Sequence, residues 1–122
     1  MAADIVLLDV EWPSRALLRA QLIEEGFDVL ATDTWAQMRR YLRPGAKPQL
    51  AIVDLQGLPE PGQVLSDLKI LMPPGRVLVL SALGTVTAEE LDRLGFPHVK
   101  RPIVVADVVA AVRTAMRRSS GQ

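Results

Sequence analysis

Three continuous apolar runs of strand length punctuate this chain: Ile5-Val6-Leu7-Leu8, Leu50-Ala51-Ile52-Val53 and Val77-Leu78-Val79-Leu80. Strands that alternate apolar and polar residues keep one face in water. Unbroken apolar strands must be covered on both faces, the habit of parallel sheets flanked by helices. Helix-length segments separate the runs, and two weaker strand candidates, 27–31 and 98–100, complete five β-α units. The pattern therefore dictates an α/β layer structure with a five-stranded parallel sheet and five helices. Each strong run ends in a polar group, Asp9, Asp54 and Ser81 respectively. Parallel sheets bind their ligands beyond the carboxyl ends of their strands. Two carboxylates and a hydroxyl thus converge on one edge.

The helix signals fill the gaps. Residues 13–25 read as a helix, with Pro13 tolerated in its first turn and Gly26 ending it. Leu18 and Leu22 lie four apart on one face. Thr34 with Gln37 forms a capping box for a helix running to residue 42, before Pro44-Gly45. A third helix spans 63–71 and is closed by Pro73-Pro74-Gly75. Thr87 with Glu90 caps a fourth, which ends at Gly95. The last helix sets Val105, Val108, Val109, Val112 and Met116 on one stripe, core first and interface second, opposite Asp107, Arg113 and Arg117. The strand at 27–31 carries Asp28 and suits an edge. A doubly wound, flavodoxin-like order 2-1-3-4-5 satisfies these constraints and sets Asp9 and Asp54 face to face at the switch point. One domain over 1–118, with a disordered tail over 119–122, accounts for the chain.

Charge and composition exclude several functions. The 14 basic and 14 acidic residues cancel, so no basic field draws the chain to nucleic acid. Arg113, Arg117 and Arg118 instead suit a helix C-terminus. The absence of cysteine removes disulfides, thiolate metal sites and cysteine nucleophiles. No apolar run is long enough to span a membrane and no signal peptide opens the chain, so a cytoplasmic location is expected. No glycine-rich phosphate loop follows the first strand and no nucleophile–base pair is visible, so no enzyme activity is expected.

The ordered pieces Leu7-Leu8-Asp9, Leu22-Ile23-Glu24-Glu25-Gly26-Phe27, Ile52-Val53-Asp54 with Gly62 eight residues on, Leu80-Ser81-Ala82 and Lys100-Arg101-Pro102 resemble the receiver domain of two-component response regulators, the CheY-like fold. The resemblance covers nearly the whole chain. It implies that Asp54 accepts a phosphoryl group from a histidine kinase or phosphotransfer protein. It implies a Mg²⁺ held by Asp9, Asp54 and the backbone carbonyl of Gln56, with Glu11 as a further candidate ligand. It implies that Ser81 contacts the phosphoryl oxygen and that a lysine-like cation pairs with it, a role open to Arg101 or Lys100. The switch pair would be Ser81 and His98. Signalling would pass through the last helix and the strand-five face, which could also form a homodimer.

The departures are specific. Val10 stands where the family has a second acid, Pro59 falls one position late in the loop after Asp54, and Arg101 precedes Pro102 where the family has lysine. These differences raise an alternative: a degenerate receiver that serves as a phosphorylation-independent interaction module. Trp12 and Trp35 are expected to cover the sheet edge or helix termini, and Trp12 to lie beside the site.

Overall fold

The computed structural model describes residues 3–45, 47–82 and 84–120. Its strands are β1 (Ile5–Leu8), β2 (Val29–Thr32), β3 (Leu50–Asp54), β4 (Val77–Leu80) and β5 (His98–Val99). Its helices are α1 (Trp12–Glu24), α2 (Trp35–Arg39), α3 (Pro61–Leu71), α4 (Ala88–Leu94) and α5 (Val105–Ser120), with a single 3₁₀ turn at Pro74–Arg76. All strands pair in parallel, in the order β2-β1-β3-β4-β5. The expected topology is the observed one, with β2 at an edge.

The two faces of the sheet split the core by the period of two that strands impose. Val6, Leu8, Ala51, Val53, Val77 and Val79 face α2, α3 and α4, meeting Met38, Leu65 and Leu91. Their neighbours Ile5, Leu7, Ile52, Leu78 and Leu80 face α1 and α5, meeting Leu18, Leu22, Val108 and Val112. Every residue of β1, β3 and β4 is buried. Each fully buried aliphatic side chain contributes about 1.5–3 kcal/mol, which is what holds helices on both faces.

Helix boundaries differ from the sequence expectation where proline chemistry intervenes. The second helix stops at Arg39, not residue 42. Beyond it, the amides of Arg40, Tyr41 and Leu42 reach back only three residues, to the carbonyls of Gln37, Met38 and Arg39. Pro44 disfavours helical geometry at Arg43 and tightens this last turn, yet Leu42 stays fully buried. The third helix starts at Pro61 rather than residue 63, since proline's fixed φ and missing N–H suit the first helical position. Both capping threonines act as expected: Thr34 Oγ1 accepts from Gln37 N at 3.1 Å, and Thr87 Oγ1 from Glu90 N at 3.2 Å. Strand β5 holds only His98 and Val99, so Lys100 lies outside it. Helix α5 continues to Ser120, two residues into the segment expected as a tail, because no helix-stopping residue precedes Gly121. Gly121 and Gln122 lie outside the described residues.

Candidate functional site

The register carries Asp9 and Asp54 to one edge of the sheet. Leu8 pairs with Val53, so the residues that follow each, Asp9 and Asp54, leave adjacent strands side by side. Both are buried, at 0% and 1% exposure, among otherwise apolar neighbours. A buried carboxylate must find hydrogen-bond donors. Asp9 Oδ1 accepts from the backbone N–H of Glu11 at 3.0 Å, and its Oδ2 accepts from the hydroxyl of Ser14. Asp54 Oδ1 accepts from Gln56 N at 2.9 Å, and its Oδ2 from Arg101 Nη2, also at 2.9 Å. Burial raises the Asp9 carboxyl above the usual carboxylate range, and the nearby charge of Asp54 adds to the rise. Ser14 and the Glu11 amide pull against it.

The cation is Arg101. Its guanidinium bridges the carboxylate of Asp54 and the backbone carbonyl of Ser81. The side chain is 22% exposed against 1% for Asp54, so the ion pair is shielded from solvent on one side only. Arg101 enters from a cis peptide bond to Pro102. Lys100, the other candidate for this role, is exposed. The planar fork of arginine permits two contacts at once, which an ammonium group makes less well.

Ser81 follows β4 directly, and Asp54 pairs with Leu80, so the serine stands one residue beyond Asp54's neighbour. His98 lies on β5, paired with Val79. Its ring Nε2 lies 2.9 Å from Asp92 Oδ1 on α4, while Nδ1 is buried with no hydrogen-bond partner among the described residues. His98 therefore borders the groove between α4 and α5, where Asp92, Thr114 and Arg118 also lie. Of the two expected placements, sheet edge or helix terminus, Trp12 takes the second: it opens α1, with 69% of its surface exposed. Trp35 likewise opens a helix, α2, and is partly buried against the core.

Two contributors escaped the sequence reading. Ser14 donates to Asp9, and Arg15 donates to the carbonyls of Asp9 at 3.0 Å and Val10 at 3.4 Å. The available signal was their place in the first turn of a helix that follows a strand-terminal acid. Helix α1 has no side-chain cap from Glu11; Asp9, two residues earlier, instead accepts from the Glu11 amide and the Ser14 hydroxyl.

The donor set does not fit a resident Mg²⁺. That ion demands near-octahedral oxygen coordination. Val10 offers no side-chain oxygen, Glu11 is exposed, and each carboxylate oxygen of Asp9 and Asp54 already has a protein donor. Among the described residues, no group of three or more His, Cys, Asp or Glu could hold a metal ion. Of the expected ligands, Asp9 and Asp54 stand side by side at the sheet edge, while Glu11 is exposed, residue 10 brings no carboxylate and Asp54 is paired with Arg101.

No protein-family model matches the sequence, and no curated protein matches it. Solved structures do. NtrX from Brucella abortus, in complex with ADP, is 26% identical over 98% of this chain, with a TM-score of 0.79. This chain spans 28% of that protein's chain. A response regulator receiver domain protein from Clostridium thermocellum aligns over 98% of both chains, with 19% identity and a TM-score of 0.81. A CheY-like response regulator receiver domain protein from Methanospirillum hungatei JF-1 is 16% identical, with a TM-score of 0.80 over 99% of this chain. This chain has the fold of response-regulator receiver domains. The receiver fold accounts for the acids at one edge of the sheet, and no helix among the described residues is long and apolar enough to cross a membrane.

Proposed function

We propose that this receiver domain works in two-component signalling as a partner-binding module that does not depend on phosphorylation. One observation carries the reading: the Arg101 guanidinium sits on Asp54 Oδ2 at 2.9 Å, inside a pocket whose other acid position is Val10. Phosphoryl transfer needs an accessible carboxylate oxygen and concentrated positive charge on the transferring group. Asp54 is 1% exposed and both of its oxygens accept hydrogen bonds. The ion pair supplies the charge balance that a metal and a phosphoryl group would otherwise need. The surface offered to a partner is that of α4, β5 and α5, whether the partner is a histidine kinase, a phosphotransfer protein or a second copy of the chain.

The second reading, phosphorylation of Asp54, draws support from the position of Asp54 at the end of β3, with Ser81 and a cation close by. One experiment separates the two. The protein is incubated with acetyl phosphate and Mg²⁺, and its intact mass is followed beside that of Asp54→Asn. The interaction-module reading expects no phosphoryl adduct on either protein. A stoichiometric, acid-labile adduct on the wild type that is absent from Asp54→Asn would overturn it and establish the second reading.

A further inference from the structure

Val10 has a second consequence, at the loop after β1. A cavity of about 350 Å³ opens there between the loops that follow β1, β2 and β3. Its walls are apolar, formed by Val10, Trp35, Leu58, Pro59 and Val64, and two acids, Asp33 and Glu60, line it with them. Small-molecule sites are concave, largely apolar, and begin at roughly 300 Å³. We propose that this cavity is a binding site for a small organic cation with a flat, apolar body.

Three observations favour that ligand class. Leu58 and Val64 are buried and Trp35 is half-buried, which gives the cavity a fixed apolar floor and an aromatic wall. An aromatic face attracts cations through its quadrupole. The charged residues of the lining are Asp33 and Glu60 alone, so the cavity presents negative charge and no positive charge. Neither acid takes part in an ion pair among the described residues. Glu60 precedes α3 without capping it, and holds a left-handed backbone at φ 49° and ψ 56°. Such a conformation costs a β-carbon-bearing residue free energy that the surroundings must offset, and it places this acid on the cavity wall.

Val10 is central to the inference. Its methyl groups pack beside Gly57, where a β-carbon would lie 3.8 Å from Val10 Cγ1. A carboxylate at residue 10 would carry water and charge into this wall; valine keeps it dry. The proposal does not rest on either reading of Asp54.

Three probes of one shape test it: benzamidine, cationic; benzamide, neutral; benzoate, anionic. Each is titrated into the ¹⁵N-labelled protein. Benzamidine should perturb the indole N–H of Trp35 and the amides of Thr34, Gly57 and Leu58, and bind more tightly than benzamide, with benzoate weakest. The exposed acids are then neutralised together by Asp33→Asn and Glu60→Gln. This should weaken benzamidine about threefold, the size of an exposed charge contact, and leave benzamide unchanged. A second variant, Gln63→Trp, fills the mouth and should abolish binding of all three. The proposal fails if no probe perturbs these residues, if benzoate matches benzamidine, or if the perturbations map to the groove between α4 and α5.

Discussion

Arg101 and Asp54 lie 47 residues apart in sequence and meet through a charged hydrogen bond of 2.9 Å at the carboxyl edge of the sheet. The pair ties the loop after β5 to the end of β3. The same guanidinium also holds the carbonyl of Ser81, so three strand ends share one cation. The cation that the family resemblance implies beside this acid is, in this chain, the guanidinium of Arg101.

The pair should matter to stability. Arg101→Ala leaves Asp54 buried without its cation, and breaking a buried pair from one side is far costlier than removing an exposed one. With Arg101 itself 22% exposed, a loss of about 2–4 kcal/mol is expected, read from urea unfolding. Arg101→Lys keeps the charge but not the second contact, and should cost about 1 kcal/mol. An unchanged urea midpoint in Arg101→Ala would show that the contact contributes nothing.

Asp9 makes a pH-dependent contribution whose sign is opposite to that of an ordinary ion-paired acid. Its folded-state carboxyl is raised above 3.8 by burial and by Asp54. Between those two values the folded state binds the proton that the unfolded state has released. Stability from this group is therefore full below the unfolded value and is lost as pH rises through the folded one. At pH 7 the ionised Asp9 is a net cost. Asp9→Asn should thus be more stable than wild type at neutral pH, with the difference shrinking as pH falls towards 3.8. A wild type more stable than the variant at pH 7, compared by denaturant midpoints, would reverse this assignment.

The threonine caps offer a local test. Thr87 Oγ1 accepts from Glu90 N at the start of a seven-residue helix, α4, whose other end is closed by Gly95 at φ 86°. Thr87→Ala removes that acceptor and should cost about 1 kcal/mol, while Thr87→Ser should cost much less. Equal midpoints for alanine and serine would mean that solvent satisfies the Glu90 amide as well as the threonine does.

The fold was legible because burial on both faces leaves an unambiguous mark: β1, β3 and β4 read as unbroken apolar runs, and Asp28 before β2 marks an edge. Element ends were less so. Residue 42 is buried and looks helical by spacing, yet Pro44 constrains the turn before it. The choice between Lys100 and Arg101 could not be made from adjacent positions in a chain, since it depends on which side chain leaves a two-residue strand towards Asp54. Ser14 was invisible for a different reason. A serine in the first turn of a helix usually serves that helix, and only the three-dimensional placement of Asp9 turns it into that acid's donor.

Metal binding gives the sharpest test of what Val10 does. The wild type lacks a side-chain oxygen at residue 10, and Arg101 already neutralises Asp54, so Mg²⁺ should perturb the amides of Asp9, Gln56 and Gly57 only weakly. Val10→Asp adds a hard oxygen ligand beside two existing carboxylates, and Mg²⁺ affinity follows ligand charge and number. The variant should bind Mg²⁺ on the order of tenfold more tightly, read by titration of the ¹⁵N-labelled protein. Combining it with Arg101→Lys should strengthen binding further, since the bridging guanidinium then no longer occupies both Asp54 and the Ser81 carbonyl. In the absence of metal, the same Val10→Asp change should destabilise the domain, because it adds a third negative charge beside Asp9 and Asp54. Saturating Mg²⁺ should recover that loss in the variant and leave the wild type almost unmoved. Equal Mg²⁺ affinity in wild type and Val10→Asp would mean that Glu11, not Val10, governs the site, and the assignment of residue 10 as the missing ligand would fall.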